Sequence, residues 1–176
     1  MMISPDLSKE LLRSIPNLRA FAISLSGNSD KADDLVQETI LKAWMNINSF
    51  TPGTNLNAWL FTILRNLHYS NYRKYKQEIP DIDGEFSSNL VSLPDQEDHV
   101  DFLNLKNALN KLPHDQREAI ILIGASGFSY EEAARICGCA VGTLKSRVNR
   151  ARAKLAQLLS LDENKTKSNT LWRSTG

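Results

Sequence analysis

The sequence predicts an all-α protein made of two small helical domains joined by an acidic, flexible linker. Three observations predict it. Apolar residues recur at three- and four-residue intervals along most of the chain, and no run of strict alternation appears. The 8 Gly and 6 Pro fall mostly at the boundaries of those periodic segments. The charge is divided: residues 1–76 carry nine Lys/Arg and six Asp/Glu, residues 77–101 no base and eight acids, and residues 102–176 twelve bases and six acids. The formal net charge of +1 over 176 residues therefore hides two basic lobes around an acidic segment. Basic lobes favour anionic partners such as nucleic acid.

The first lobe, residues 7–76, reads as helices near 7–26, 30–48 and 56–76. Gly27–Asp30 (GNSD) ends the first and caps the second, because short polar side chains accept from the free N–H groups of a helix start. The second helix places Ala32, Val36, Ile40, Ala43, Trp44 and Ile47 on a core stripe. Its far face carries Asp34, Gln37, Glu38, Leu41 and Met45. Acids beside exposed Leu and Met suit protein docking, with a plain solvated face as the alternative. Pro-Gly within Ser49–Asn55 marks a loop.

The third helix buries Leu56, Leu60, Ile63, Leu64 and Leu67. It turns Thr62, Arg65, Asn66, Tyr69, Tyr72, Arg73 and Lys76 the other way. Rings interleaved with cations and amides suit single-stranded or opening DNA, where bases stack and cations hold the backbone. Half-buried packing tyrosines are the alternative. Trp59 and Phe61 read as core residues. Residues 77–101, with two Pro, one Gly and many acids, read as a linker: a solvated tether, or acids that mask a basic surface.

The second lobe, residues 102–161, opens with a helical segment, then Pro113 at a helix start and an apolar run ended by Gly. Ser129 and Glu132 form a capping box for a short helix. Cys137–Gly138–Cys139 turns into VGTLKSRVNRARAKL. At 100° per residue, Val141, Leu144, Val148, Ala151 and Leu155 fall within about 80° of each other. Opposite them lie the small or short residues Gly142, Ser146, Asn149 and Ala153. Lys145 and Arg152 edge these on one side, Arg147 and Arg150 on the other. Such a face can sink into the major groove, with edge cations on phosphates and Lys, Arg, Ser or Asn on bases. A surface helix with solvated charges is the alternative, but solvated charges usually alternate in sign. A short helix, a Gly turn and a basic helix make a helix-turn-helix. Residues 162–176 read as a polar, disordered tail.

Other classes fit poorly. Cys137 and Cys139 are too close for a disulfide framework, which suggests reduced thiols and a cytoplasmic chain. A zinc site needs about four ligands, and His68, His99 and His114 lack ligand spacing, so no metal or other cofactor is expected. No stretch has the ~18 apolar residues of a membrane helix, and the N-terminus lacks a signal-peptide core, so no membrane association is expected. No phosphate loop or nucleophile motif points to an enzyme.

DKADDLVQETILKAW, NAWLFTILRNLHYSNYRK and LPHDQREAIILIGASGFSYEEAARICGCAVGTLKSRVNRARAKL together, and in this order, resemble the extracytoplasmic-function (ECF) sigma factors. These are minimal initiation subunits of bacterial RNA polymerase. PGTNLNAWLFTILRN, GASGFSYEEAA and CGCAVGTLKSRVNRAR look like the EcfG-type general stress sigma factors of alphaproteobacteria. The resemblance covers about residues 7–160. It makes the lobes sigma region 2 and sigma region 4.

It implies that Asp34, Leu35, Gln37, Glu38 and Leu41 bind the clamp helices of the polymerase β′ subunit, and that the second lobe meets the flap of β. It also implies −10 promoter contacts by Asn55, Asn57, Arg65, Asn66, Tyr69 and Arg73, with the loop Ser49–Asn57 capturing a flipped base. Thr143, Lys145, Ser146, Arg147, Asn149, Arg150 and Arg152 then take the −35 element. The subgroup implies restraint by an anti-sigma factor of the NepR type and release by a PhyR-type response regulator. A stand-alone helix-turn-helix regulator would leave the first lobe's faces unexplained. A sigma mimic that captures an anti-sigma factor would not need cationic reading faces.

Overall fold

The structure is a computed structural model that describes the backbone of residues 5–78 and 99–173, with side chains from 6–75 and 103–160. The linker and its proposed masking role lie outside the described residues. Seven α-helices and one 3₁₀ turn appear among the described residues, and no strand: α1 (Pro5–Ser26), α2 (Ser29–Met45), the 3₁₀ turn Ile47–Ser49, α3 (Leu56–Glu78), α4 (His99–Asn110), α5 (His114–Gly124), α6 (Tyr130–Cys137) and α7 (Val141–Arg173).

Local chemistry sets the ends as expected. Asn28 caps α2, its side chain accepting from the Lys31 N–H. Ser129 accepts from the Glu132 N–H while the Glu132 carboxylate accepts from the Ser129 N–H, completing the capping box of α6. Gly138 ends α6 at φ +64°, left-handed backbone that glycine enters at least cost.

In the first lobe α1, α2 and α3 pack on one another around Leu18, Phe21, Ala32, Val36, Leu60 and Leu64, all buried. The stripe of α2 differs from the expected one. Ala32, Val36 and Ala43 are buried, but so are Leu35 and Thr39, whereas Trp44 is 53% exposed. The buried arc is centred on Ala32, with Leu35 about 60° to one side and Trp44 about 120° to the other. Ile47 lies beyond the helix, in the 3₁₀ turn. The Thr39 hydroxyl is satisfied within the helix, donating to the Leu35 carbonyl at 2.7 Å.

In the second lobe, Leu144, Val148 and Ala151 of α7 are buried, and α7 packs on α4, α5 and α6. This is the stripe read from the sequence, with Val141 and Leu155 at its half-buried ends. The helix does not stop at Leu161. It continues to Arg173, since no Gly or Pro stands between Thr143 and Thr175 to break it.

The two lobes are docked. A file of rings crosses between them: Phe21 stacks on Phe61 at 4.8 Å, and Phe61 meets Phe128 edge-on at 4.9 Å. α3 packs on α6, and α1 touches α5. Buried apolar residues of both lobes therefore form one core.

Candidate nucleic-acid interface

The expected reading face of α7 is solvent-exposed. Thr143, Lys145, Ser146, Asn149, Arg150 and Arg152 are all exposed, and Arg147 is half-buried. The core stripe on the opposite side fixes the helix axis, so these side chains share one outward surface. Gly142 and Ala153 keep its centre low.

Two of the cations are steered from behind. Arg147 Nε lies 3.2 Å from the Asp115 carboxylate at the start of α5. Lys145 Nζ stands 5.7 Å from the centre of the Tyr130 ring. Both contacts are exposed or partly so, hence weak, and they orient more than they stabilise.

The face of α3 divides into two parts. Asn66 and Arg73 are exposed and, with Arg65 and Tyr69, line a recess of about 410 Å³. Arg65 and Tyr69 themselves reach into the second lobe. Arg65 Nε donates to Glu118 at 2.6 Å, and a second guanidinium nitrogen reaches the other carboxylate oxygen at 3.3 Å. The guanidinium carbon sits 4.6 Å from the centre of the Tyr69 ring. The Tyr69 hydroxyl lies 2.9 Å from His114 Nδ1 and 3.5 Å from the Glu118 carboxylate.

Glu118 is 1% exposed. Burial pushes its carboxyl above the ordinary range, and Arg65 works against that shift. Burial also disfavours charge on Arg65, but the Glu118 carboxylate more than offsets this and holds the guanidinium above its usual value. Burial pushes the Tyr69 hydroxyl up, so it stays a neutral donor. Burial and then the nearby Arg117 push His114 down to about 4, leaving a neutral ring at pH 7. His114 Nε2 is buried with no hydrogen-bond partner among the described residues. With His68, Tyr69, Tyr72 and Arg117 it lines an inter-lobe cleft of about 540 Å³.

The loop before α3 is closed by local hydrogen bonds and partly committed. The 3₁₀ turn closes with Ser49 N–H on the Asn46 carbonyl, and Thr54 N–H closes on Thr51 around Gly53 at φ +84°. Asn55 caps α3 by accepting from the Ala58 N–H, and its amide donates to Glu132 at 2.7 Å. Asn57 accepts from the buried Ser14 hydroxyl at 2.6 Å, so its amide oxygen is turned to α1. Neither amide is free in this conformation, because each has a structural partner that sequence reasoning did not identify.

On α2, Asp34, Gln37, Glu38 and Leu41 are exposed, joined by Trp44 and Met45, with Leu41 at 61% and Met45 at 72%. Glu38 also accepts from Asn71 of α3 at 3.3 Å. Leu35 does not belong to this surface. It is 6% exposed, inside the first lobe's core, about 120° around α2 from Leu41.

Sequence reasoning also missed Glu118, His114 and Glu132 as inter-lobe partners. A signal existed for Glu118: a carboxylate one residue before Ala119 and four before Leu122 falls on the buried stripe of α5. Among the described residues, no group of three or more His, Cys, Asp and Glu is placed to hold a metal ion. No described helix is long and apolar enough to cross a membrane. Burial pushes the Cys137 thiol up to about 12, and it packs as a small apolar residue.

Both lobes match known protein families. Residues 11–78 match the family described as "Sigma-70 region 2", and residues 102–155 match "Sigma-70, region 4". The chain is 62% identical over 162 residues to the ECF RNA polymerase sigma factor EcfG of Rhodopseudomonas palustris (strain TIE-1), covering 92% of this chain and 90% of the relative. It is also similar to the sigma factor RpoE solved in complex with the anti-sigma factor NepR from Bartonella quintana: TM-score 0.80, 59% identity, 89% of this chain and 98% of that one. The anti-anti-sigma factor PhyR of the same organism, complexed with NepR, shares the fold alone, with a TM-score of 0.54 and 19% identity over 86% of this chain and 49% of that one. This chain belongs to the extracytoplasmic-function sigma factors of the sigma-70 family.

Proposed function

We propose that the chain is a general stress initiation subunit. It binds core RNA polymerase through the exposed face of α2, opens and reads the −10 element with the face of α3, and reads the −35 element with α7. The observation that carries the proposal is the α7 surface: small residues along its centre, cations at both edges and a stripe behind whose middle, Leu144, Val148 and Ala151, is buried. A low-centred helix face edged by cations suits the width of the major groove. The polymerase supplies all the chemistry; the chain itself catalyses nothing and acts in the cytoplasm.

Site roles follow from position. Arg150, Asn149, Ser146 and Lys145 face bases, while Thr143, Arg147 and Arg152 face phosphates. Asn66, Arg65, Tyr69 and Arg73 hold the −10 strand. Asn55 and Asn57 shape the loop that takes a flipped base. Asp34, Gln37, Glu38 and Leu41 meet the clamp helices of β′, and the second lobe meets the flap of β. A NepR-type anti-sigma factor holds the chain inactive, and a PhyR-type regulator relieves it by competing for that protein. The similarity to a sigma factor solved with NepR supports this last assignment.

Run-off transcription tests the proposal. The chain is mixed with bacterial core polymerase and a template carrying a GGAA-type −35 element and a stress-type −10 element. A transcript that requires both the chain and the −35 element is expected. Polymerase binding and transcript both absent would favour the stand-alone regulator or the mimic.

A further inference from the structure

Four cations edge the α7 face, and Arg147 differs from the other three. Lys145, Arg150 and Arg152 are exposed. Arg147 is half-buried, and among the described residues it alone of the four meets a carboxylate, with its Nε 3.2 Å from Asp115. The contact runs through Nε. It leaves the terminal guanidinium nitrogens without a hydrogen bond among the described residues, and these are the pair that suits a phosphate.

Asp115 is itself well placed. It stands in the first turn of α5, where the helix dipole and free N–H groups favour a carboxylate. The Gln116 and Arg117 N–H groups donate to the Pro113 carbonyl and close that turn. Asp115 lies on the helix face that buries Glu118, Ala119 and Leu122, one turn nearer the helix start, and α5 packs on α7. Its carboxylate is therefore directed toward α7 by the packing of two helices. An arginine must give up rotamer freedom to hold a phosphate, and one that is already braced gives up less.

We propose that Asp115 is a positioning residue for promoter recognition: it braces Arg147 with its terminal nitrogens toward a phosphate at one edge of the groove, and so sets the register in which Ser146, Asn149 and Arg150 meet the −35 bases. This rests on the assignment of α7 to the −35 element. Asp115 has the same sign of charge as DNA, so it takes no phosphate itself. Its whole contribution passes through Arg147.

The test uses the full chain bound to core polymerase. Fluorescence anisotropy measures its affinity for promoter duplexes with an intact or a scrambled −35 element, over a range of salt. Asp115→Ala is expected to weaken binding to the intact duplex about threefold, near the lower end of the gain from a pre-ordered side chain, because the pair is partly exposed. Binding to the scrambled duplex is expected to stay unchanged, and so is the salt slope, since the phosphate contact still forms. Arg147→Ala is expected to reduce the salt slope by about one. Adding Asp115→Ala to it should weaken binding no further. Co-purification with polymerase and circular dichroism confirm that each variant is bound and folded. An Asp115→Ala chain that binds the intact duplex as well as the wild type or better overturns the proposal. So does a threefold loss that persists in the Arg147→Ala background, the result of a carboxylate with a merely structural role. An Arg147→Ala chain with unchanged affinity and salt slope overturns instead the assignment of that edge of α7 to phosphate.

Discussion

Arg150 is the side chain on which the proposed −35 contact is most directly tested. It is exposed on the outward side of α7, with Val148 and Ala151 buried behind it to fix its direction. Arg150→Ala is expected to weaken −35 binding by about 1–3 kcal/mol, as for a lost base contact, and to leave −10 opening nearly unchanged. Footprinting on promoters mutated in either element measures both; equal loss at the two elements would count against a base contact. His114 makes a pH prediction. Its ring sits at about 4 in the docked chain against an ordinary 6.5, from burial first and Arg117 second. His68, also lowered by burial, lies parallel at 6.2 Å, with Asp115, Arg65 and Tyr69 nearby. A base with a depressed folded-state value contributes stability that is complete above about pH 6.5 and lost as the pH falls toward 4. Glu118, raised by burial, acts in the opposite sense. Thermal midpoints across that window should fall for the wild type and fall less for His114→Gln; equal slopes would remove His114 from the junction's titration.

Among the elements, α2 and the α6–α7 turn make separate demands. The exposed face of α2 carries Glu38 in the open, and Glu38→Lys is expected to weaken core polymerase binding with the fold intact, as read by co-purification and circular dichroism. Unchanged binding would take that face out of the clamp contact. Gly138 has φ +64°, and the space a β-carbon would enter there has no other atom within 4 Å. Gly138→Ala should therefore cost only the left-handed backbone penalty, about 1 kcal/mol, measured by urea unfolding. A loss several times larger would mean that the turn is packed in solution. At this scale the sequence was largely legible. Helical period placed the stripes of α3 and α7, and capping chemistry placed Asn28 and Ser129, because both are local. Trp44 and Leu35 were misplaced because an apolar residue at a stripe's edge is assigned to core or surface by what packs against it. The packing of α1 and α3 on α2 favours the Leu35 side.

The whole molecule depends on contacts that no local pattern encodes. Arg65 and Glu118 are 53 residues apart and Asn55 and Glu132 are 77 apart, so neither pairing follows from periodicity. The wheel identifies Arg65 as a cation on a wet face; only the docked lobes show that the part of it holding Arg65 and Tyr69 is turned inward. The shared ring file predicts cooperative behaviour. With Trp172 changed to Phe, tryptophan fluorescence reports the first lobe through Trp44 and Trp59, while circular dichroism reports both lobes. The two unfolding curves should coincide in the parent chain and separate in Phe128→Ala, which removes the edge-on ring from the junction. Curves that still coincide in the variant would place the coupling elsewhere.

The uninterrupted run of α7 from Val141 to Arg173 has a mechanical consequence. At 1.5 Å per residue the helix is a rod of roughly 50 Å, with the exposed basic residues Lys145, Arg150 and Arg152 in its first half. A rigid rod transmits torque as well as position. Whatever grasps its far end is therefore held at a set azimuth around the promoter, and each residue inserted past Leu155 would swing that azimuth by about 100°. Insertions of seven residues would nearly restore the phase and insertions of two would reverse it.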